Sequence, residues 1–261
     1  LPMKVGHVNV YLIRDAGGWL AVDAGFASEK TFEAWERLLA GRLKGEPLTG
    51  LVVTHSHIDH IGAAGWLCRR AGIPLYMSEV EYLVSQLNLV EGDRLRGAGF
   101  RAVFRRWGVP RETVEAMADY REQYASDLST LPDSVGLLAH NGQLKIGERV
   151  LETILGPGHS PAQAILYCRA DGWMLSADHV LGRAPPLLVV PSFALQEDTL
   201  GRYLSSLSDL RAVMPDGVHV FPSHGKPHRD LPGAAAGAFA RHDDRLAAVE
   251  AACAASHPNL L

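Results

Sequence analysis

The chain has 261 residues, 47% of them hydrophobic, enough to bury a large core and to fit one α/β domain or one domain with an inserted piece. Acidic and basic residues number 29 against 25, and the resulting net charge of −4 gives no support to a nucleic-acid footprint, while leaving a local basic patch open. No apolar run approaches the roughly 18 residues of a membrane span. The three cysteines, Cys68, Cys168 and Cys253, are odd in number and form no C-x-x-C pair. They read as unpaired thiols of a reducing compartment, so the expected location is cytoplasmic. No signal-peptide pattern is visible in a chain that opens at Leu1.

In chain order, residues 7–14 alternate as a strand with Val8, Val10 and Leu12 on one face, and Gly17-Gly18 turns the chain into a second strand, Trp19 to Val22. Asp23 stands at its end. Ser28 to Leu43 reads as an amphipathic helix with a serine cap and with Phe32, Trp35, Leu38 and Leu39 at helical spacing. The apolar run Leu51-Val52-Val53 then leads directly into Thr54-His55-Ser56-His57-Ile58-Asp59-His60, and the small residues 62–65 follow. This is a strand, a turn and a helix start that carry four metal-ligand side chains within six residues. Histidines two apart on an extended turn project to one side and can share a metal, while Asp59 and His60 at the helix entry can turn to a second metal beside it.

A helix to about Gly72 and a short strand, Pro74 to Met77, come next. From Ser78 to about Asp127 the chain reads as three helices broken near Gly92 and at Gly108-Val109-Pro110, with Ser78 and Glu81 spaced as a capping box. The stretch 78–140 is expected to be a helical cap inserted in one domain spanning 1–261. Within it, Phe100, Phe104 and Trp107 form an apolar stripe that packs on the body or on a second chain, and a homodimer is therefore open. The cluster Arg94, Arg96, Arg101, Arg105 and Arg106 reads as a solvated face before it reads as an anion or RNA site. Strands resume at Gln143 to Lys145, Arg149 to Leu155, Ala164 to Cys168 and Trp173 to Ala177. An apolar, proline-rich loop (182–193), a helix from Asp198 to Met214, a strand from Val218 to Phe221 and a closing helix from Gly233 to Ala255 complete the chain.

The pattern H-x-H-x-D-H at His55 to His60 resembles the signature of the metallo-β-lactamase superfamily of hydrolases. Gly156-Pro157-Gly158-His159-Ser160-Pro161 is similar to that family's second ligand loop, Leu175-Ser176-Ala177-Asp178 to its strand end with a bridging aspartate, and Phe221-Pro222-Ser223-His224-Gly225 to its last ligand loop. Leu20 to Gly25 is similar to its early V-D-x-G element, so the resemblance runs from about residue 7 to about residue 230. It implies an α/β fold, an αββα sandwich, which the two strand-rich halves flanked by helices match. It also implies that His55, His57 and His159 hold one metal, that Asp59, His60 and His224 hold the other, and that Asp178 bridges them. Asp23 would support the metal loops through hydrogen bonds.

Such a site leaves open positions and lowers the pKa of a shared water from about 15.7 towards neutrality, with Asp59 as the catalytic carboxylate that orients it. Two divalent ions are expected, zinc first, with Mn2+ or Fe2+ as alternatives. His57 stands where the di-iron redox branch of the superfamily carries a carboxylate, which favours hydrolysis. Asp178 separates the chain from true β-lactamases, which leaves β-lactam hydrolysis as a side activity. Gln163 stands where the family often has a further histidine, which weakens any substrate borrowed from glyoxalase-type thioesterases or lactonases.

The expected substrate is a small ester, thioester or lactone, and a phosphodiesterase or endoribonuclease of the same superfamily is the alternative. A metal-binding module without turnover is a third reading. His179 is a candidate to support the ligands, His228 and Lys226 to line the mouth, and Arg183 and Phe193 to touch substrate. His7, His140, His219, His242 and His257 read as structural or surface residues.

Overall fold

The computed structural model describes residues 6–90, 98–116, 118, 128–182, 185–190, 194 and 196–256. Two runs of apolar strands build two five-stranded sheets. The first holds β1 (Tyr11–Asp15), β2 (Gly18–Val22), β3 (Leu48–Val52), β4 (Leu75–Met77) and β5 (Gly136–Leu137) in that order. The second holds β6 (Gly142–Ile146), β7 (Arg149–Gly156), β8 (Gln163–Cys168), β9 (Trp173–Ala177) and β10 (His219–Pro222), with β10 beside β9 at one edge and β6 at the other. Hairpins join neighbours where the connection is short, as at Asp15↔Gly18, and helices intervene before the parallel pairs β2–β3, β3–β4 and β9–β10.

The helices are α1 (Glu29–Ala40), α2 (Ile58–Ile61), α3 (Ala64–Ala71), α4 (Glu79–Val90), α5 (Ala98–Arg106), α6 (Thr199–Val213) and α7 (Leu231–Ser256), with a further helical stretch at 111–116. Three buried clusters define the layers. Trp35 of α1 and Leu67 of α3 pack with Leu51 and Leu75 of the first sheet. Leu20, Val22 and Val52 meet Leu151, Leu166 and Leu175 between the sheets. Tyr203, Leu207 and Leu210 of α6 and Leu231, Ala235 and Ala238 of α7 cover Ile165 and Met174 of the second sheet. The result is the αββα sandwich expected from the sequence. Burying a leucine such as Leu51 or Leu67 contributes about 1.5–3 kcal/mol, whereas an exposed pair such as Arg70–Glu36 is screened by solvent and adds little. Burial therefore holds the layers together.

Several boundaries differ from expectation. The first strand begins at Tyr11, not His7, and Val10 is 37% exposed. Residues 7–9 instead brace the far end of the chain: Asn9 donates its backbone N–H to Ser223 O at 2.7 Å and its amide to Pro222 O at 2.9 Å. The helix expected after the first histidine loop is split into α2 and α3. Ala63 N–H goes to Gly25 O, and Gly62 O accepts from Ser129, so the helical ladder is diverted at that point.

Gly65 is required where the chain returns from the inserted region, since a Cβ there would lie 1.9 Å from Thr130 O. That region, expected over 78–140, includes β5, which belongs to the first sheet, so the interruption of the sheet ends before Gly136. Arg101 and Arg105 both pair with Glu115, at 2.6 and 2.7 Å. Trp107 is half exposed and meets Phe104 edge-on. The break near Gly92, together with Arg94, Arg96 and His257, lies outside the described residues, as does the side chain of Phe100. Among the described residues no helix is long and apolar enough to cross a membrane.

Candidate metal centre

Strand ends deliver the ligand candidates. His55, His57, Asp59 and His60 follow β3 and enter α2, His159 sits in the loop between β7 and β8, Asp178 follows β9, and His224 follows β10. The structure brings all seven together at one seam between the sheets. His55 Nε2, His57 Nδ1 and His159 Nε2 lie 2.9–3.2 Å from one another. Asp59 Oδ2 is 3.2 Å from His224 Nε2 and 3.6 Å from His60 Nε2. Asp178 touches both groups: its Oδ2 is 3.3 Å from His159 Nε2 and 3.4 Å from His224 Nε2, and its Oδ1 is 3.6 Å from His60 Nε2. Donor atoms of His55, His57 and His159, of Asp59, His60 and His224, and of His55, His60 and Asp178 fall within 4.8 Å of one another, so the third trio links the other two.

The hydrogen bonds behind these rings fix which nitrogen faces inward. His159 Nδ1 donates to Leu187 O at 2.7 Å and His224 Nδ1 to His7 O at 2.6 Å. A carbonyl only accepts, so each ring, when neutral, presents an Nε2 lone pair to the site. Asp23 organises the first loop from below. It accepts from Thr54 N at 2.8 Å, from Thr54 Oγ1 at 3.0 Å and from His60 Nδ1 at 2.8 Å. Thr54 Oγ1 in turn meets His55 Nδ1 at 3.0 Å. His60 Nε2 and Asp178 Oδ1 are buried with no hydrogen-bond partner among the described residues. Inward lone pairs, orphaned buried donor atoms and a nitrogen-rich set with two carboxylates are the donor chemistry of divalent cations, so the residues fit the metals the sequence implied.

The backbone is constrained at the same places. Asp23 has φ +63° and Ala177, immediately before Asp178, has φ +48°. Both are costly for residues other than glycine and are sustained by the surrounding structure. Gly158, at φ +121°, lies so near α6 that a Cβ would be 2.4 Å from Tyr203 Cβ, and this close approach places His159.

Glu81, Gln163 and His7 are supports that escaped sequence reasoning, whereas His179 is one that the sequence offers. Glu81 resembled one half of a capping box, and Ser78 Oγ does accept from Glu81 N, but the carboxylate does not fold back onto the helix end. It is fully buried, accepting from Ser56 N at 2.9 Å, Ser160 Oγ at 2.8 Å and Ala162 N at 2.7 Å. Glu81 thus ties the loop of His55 and His57 to the loop of His159. Gln163 accepts from Asp178 N and contacts His179 Nδ1 at 3.3 Å, while His179 Nε2 meets Ser206 Oγ at 3.2 Å. His179 accordingly backs the peptide of Asp178 from outside the ligand cluster. His7 holds the last loop by accepting from both His224 Nδ1 and Gly225 N. His228 pairs with Val220 along β10 and Lys226 is exposed, neither joining the seven, and Arg183 and Phe193 lie outside the described residues.

Burial pushes His57 down to about 3, with His159 adding to the effect, and it likewise holds His55 well below the usual range. Burial opposes charge on His60 and His224 as well, but there the carboxylates win. Asp23, Asp178 and Asp59 raise His60 to about 9, and Asp178 and Asp59 raise His224 to about 10. Burial likewise works against the charge on Asp178, yet His60, His159 and His224 hold its carboxyl well below the usual carboxylate range. Both histidines with raised values hold protons at pH 7.5 that cation binding must displace. Titrating chelator-stripped protein with zinc is expected to release protons, so the measured heat should change between buffers of different ionisation enthalpy. Affinity should climb with pH through the range up to about 9 and 10, and a buffer-independent heat would contradict this.

The family model described as the Metallo-beta-lactamase superfamily matches residues 3–224. The chain belongs to that superfamily. It is 27% identical over 235 residues to a Bacillus subtilis protein named "Probable metallo-hydrolase YqjP", covering 87% of this chain and 69% of that protein. A crystal structure of a β-lactamase domain protein from Burkholderia ambifaria is similar at 33% identity with a TM-score of 0.83, covering 97% of this chain and 75% of that one. The metallo-β-lactamase family protein TTHA1429 from Thermus thermophilus shares the fold at 24% identity and a TM-score of 0.78, over 95% of this chain and 78% of that one.

Proposed function

We propose that the protein is a hydrolase working with two divalent metal ions, zinc being the ion that a histidine-rich donor set suits best, acting on an ester, thioester or lactone. The observation that carries this reading is Asp178, whose one carboxylate lies against His159 on one side and His224 on the other. His55, His57 and His159 would hold one ion, Asp59, His60 and His224 the second, and Asp178 both. Bound there, the ions lower the pKa of water towards neutrality and polarise a carbonyl or phosphoryl oxygen. Asp59 would accept a hydrogen bond from the attacking water and orient it. Asp23 and Glu81 keep the histidines in position, and the neutral rings of His55 and His57 offer lone pairs to a cation.

The acyl substrate class is supported over a nucleic acid by the pairing of Arg101 and Arg105 with Glu115, which offsets part of the positive charge a nucleic acid would need. The test is a matched panel of p-nitrophenyl esters, a thioester, an acyl lactone, a β-lactam and bis-p-nitrophenyl phosphate with zinc-loaded protein. Faster turnover of an ester, thioester or lactone supports the proposal. Cleavage of the phosphodiester alone would replace it with a nuclease, and preference for the β-lactam with a lactamase.

A further inference from the structure

The loop 185–190, α7 and the start of α6 line an open cleft of about 520 Å3, and none of the seven ligand candidates is in its lining. Its size is in the range of small-molecule clefts, roughly 300–1,000 Å3. One wall is apolar, formed by Pro185, Leu187 and Leu188, of which Leu187 is 73% exposed. The other wall is cationic: Arg241 and Arg245, one helical turn apart on α7, flank His242. Asp243 and Asp244 share the helix but are absent from the lining among the described residues.

His242 is the independent sign of a ligand. Leu231, Ala235 and Ala238 turn into the core at helical spacing, and His242 continues that stripe where a small apolar residue would satisfy packing. It is buried, one side meets the ring of Tyr203 edge-on at 6.2 Å, and its Nε2 has no hydrogen-bond partner among the described residues. Burial, reinforced by Arg245 and Arg241, holds its pKa below the usual histidine range, and in the tautomer that carries hydrogen on Nε2 the uncharged ring has a donor there. A buried donor left unpaired costs free energy that a bound acceptor restores.

We propose that this cavity binds a small amphiphilic anion, a carboxylate or phosphate monoester joined to an apolar chain. The head group would sit between Arg241 and Arg245 and accept from His242, and the chain would lie along Pro185, Leu187 and Leu188. The cleft shares no lining residue with the seven ligand candidates but adjoins them, because Leu187 O, on the apolar wall, is the acceptor that orients His159.

Calorimetry on the purified protein with octanoate, octyl phosphate, octanol and inorganic phosphate tests the proposal, whatever the protein hydrolyses. One of the two anionic amphiphiles should bind about tenfold or more tightly than octanol and than inorganic phosphate, and the tighter one identifies the head group. Arg241→Gln and Arg245→Gln, both at exposed positions, should each weaken it about tenfold with an unchanged melting temperature. Octanol binding as tightly as octanoate and octyl phosphate would reduce the cavity to an apolar groove and overturn the proposal. Inorganic phosphate matching octyl phosphate, arginine variants that bind as the parent does, or no binding by either amphiphile would overturn it as well.

Discussion

Asp178→Ala is expected to lower hydrolysis of the best substrate in the panel on the order of 10³-fold, the rate equivalent of the several kcal/mol that paired cations contribute to a developing charge. The size follows from its position. Asp178 is the one carboxylate that reaches both ring clusters, and its Oδ1 is a buried acceptor with no hydrogen-bond partner among the described residues. Removing it also leaves His60 and His224 without the carboxylate that helps raise their pKa values, so both should lose protons more readily. Elemental analysis of the purified variant should show less metal per chain than the parent. Full metal content with parent-like turnover would sink the bridging role.

Glu81→Ala is expected to be the most damaging change at a residue that touches no metal candidate. Three buried donors, from Ser56, Ser160 and Ala162, would lose a charged acceptor at once. Charge-assisted hydrogen bonds are worth about 1.5–3 kcal/mol each and are not additive, so a loss of roughly 3–5 kcal/mol is expected. For a chain of this size that lowers the melting temperature by about 10 °C. Because the same bonds set the spacing of His55, His57 and His159, metal affinity should fall roughly 10–100-fold. Glu81→Gln separates the two effects. It preserves volume but places a donor against donors on one side, so zinc affinity and the spectrum of the cobalt-substituted protein should change more than the melting temperature does. Parent-like cobalt spectra in Glu81→Gln would leave Glu81 a purely structural residue.

The clustering of the seven candidates was legible in the sequence because each stands at a strand end beside short-range signals: an apolar run before it, glycine or a small residue after it, and fixed spacings within the first loop. The layers were legible for the same reason, since strand alternation and helical spacing are local properties. What the sequence hid was long-range pairing. Glu81 lies 79 positions from Ser160, and its spacing from Ser78 offered a local explanation that was half right. His7 carries no motif, and its partner His224 is 217 positions away. The start of β1 was misplaced because residues 7–9 alternate like a strand yet direct their hydrogen bonds to the last ligand loop. The split between α2 and α3 depends on Ser129, a residue beyond the inserted helices. Gln163 was visible as a departure, and only the fold shows it holding the peptide of Asp178.

The seam location of the ligand cluster sets an order of events. His55 and His159 are separated by 104 positions and come from different sheets, so their nitrogens meet only after both sheets have formed and docked. An unfolded chain keeps the short His55–His60 segment but none of the cross-sheet trios, and so competes weakly for metal. A cation held by these trios would therefore bind the folded scaffold, as a late clasp rather than a template for folding. Because it clasps only the native state, each tenfold excess of metal over its dissociation constant adds about 1.4 kcal/mol to the cost of unfolding, and heat resistance becomes a gauge of occupancy that needs no substrate.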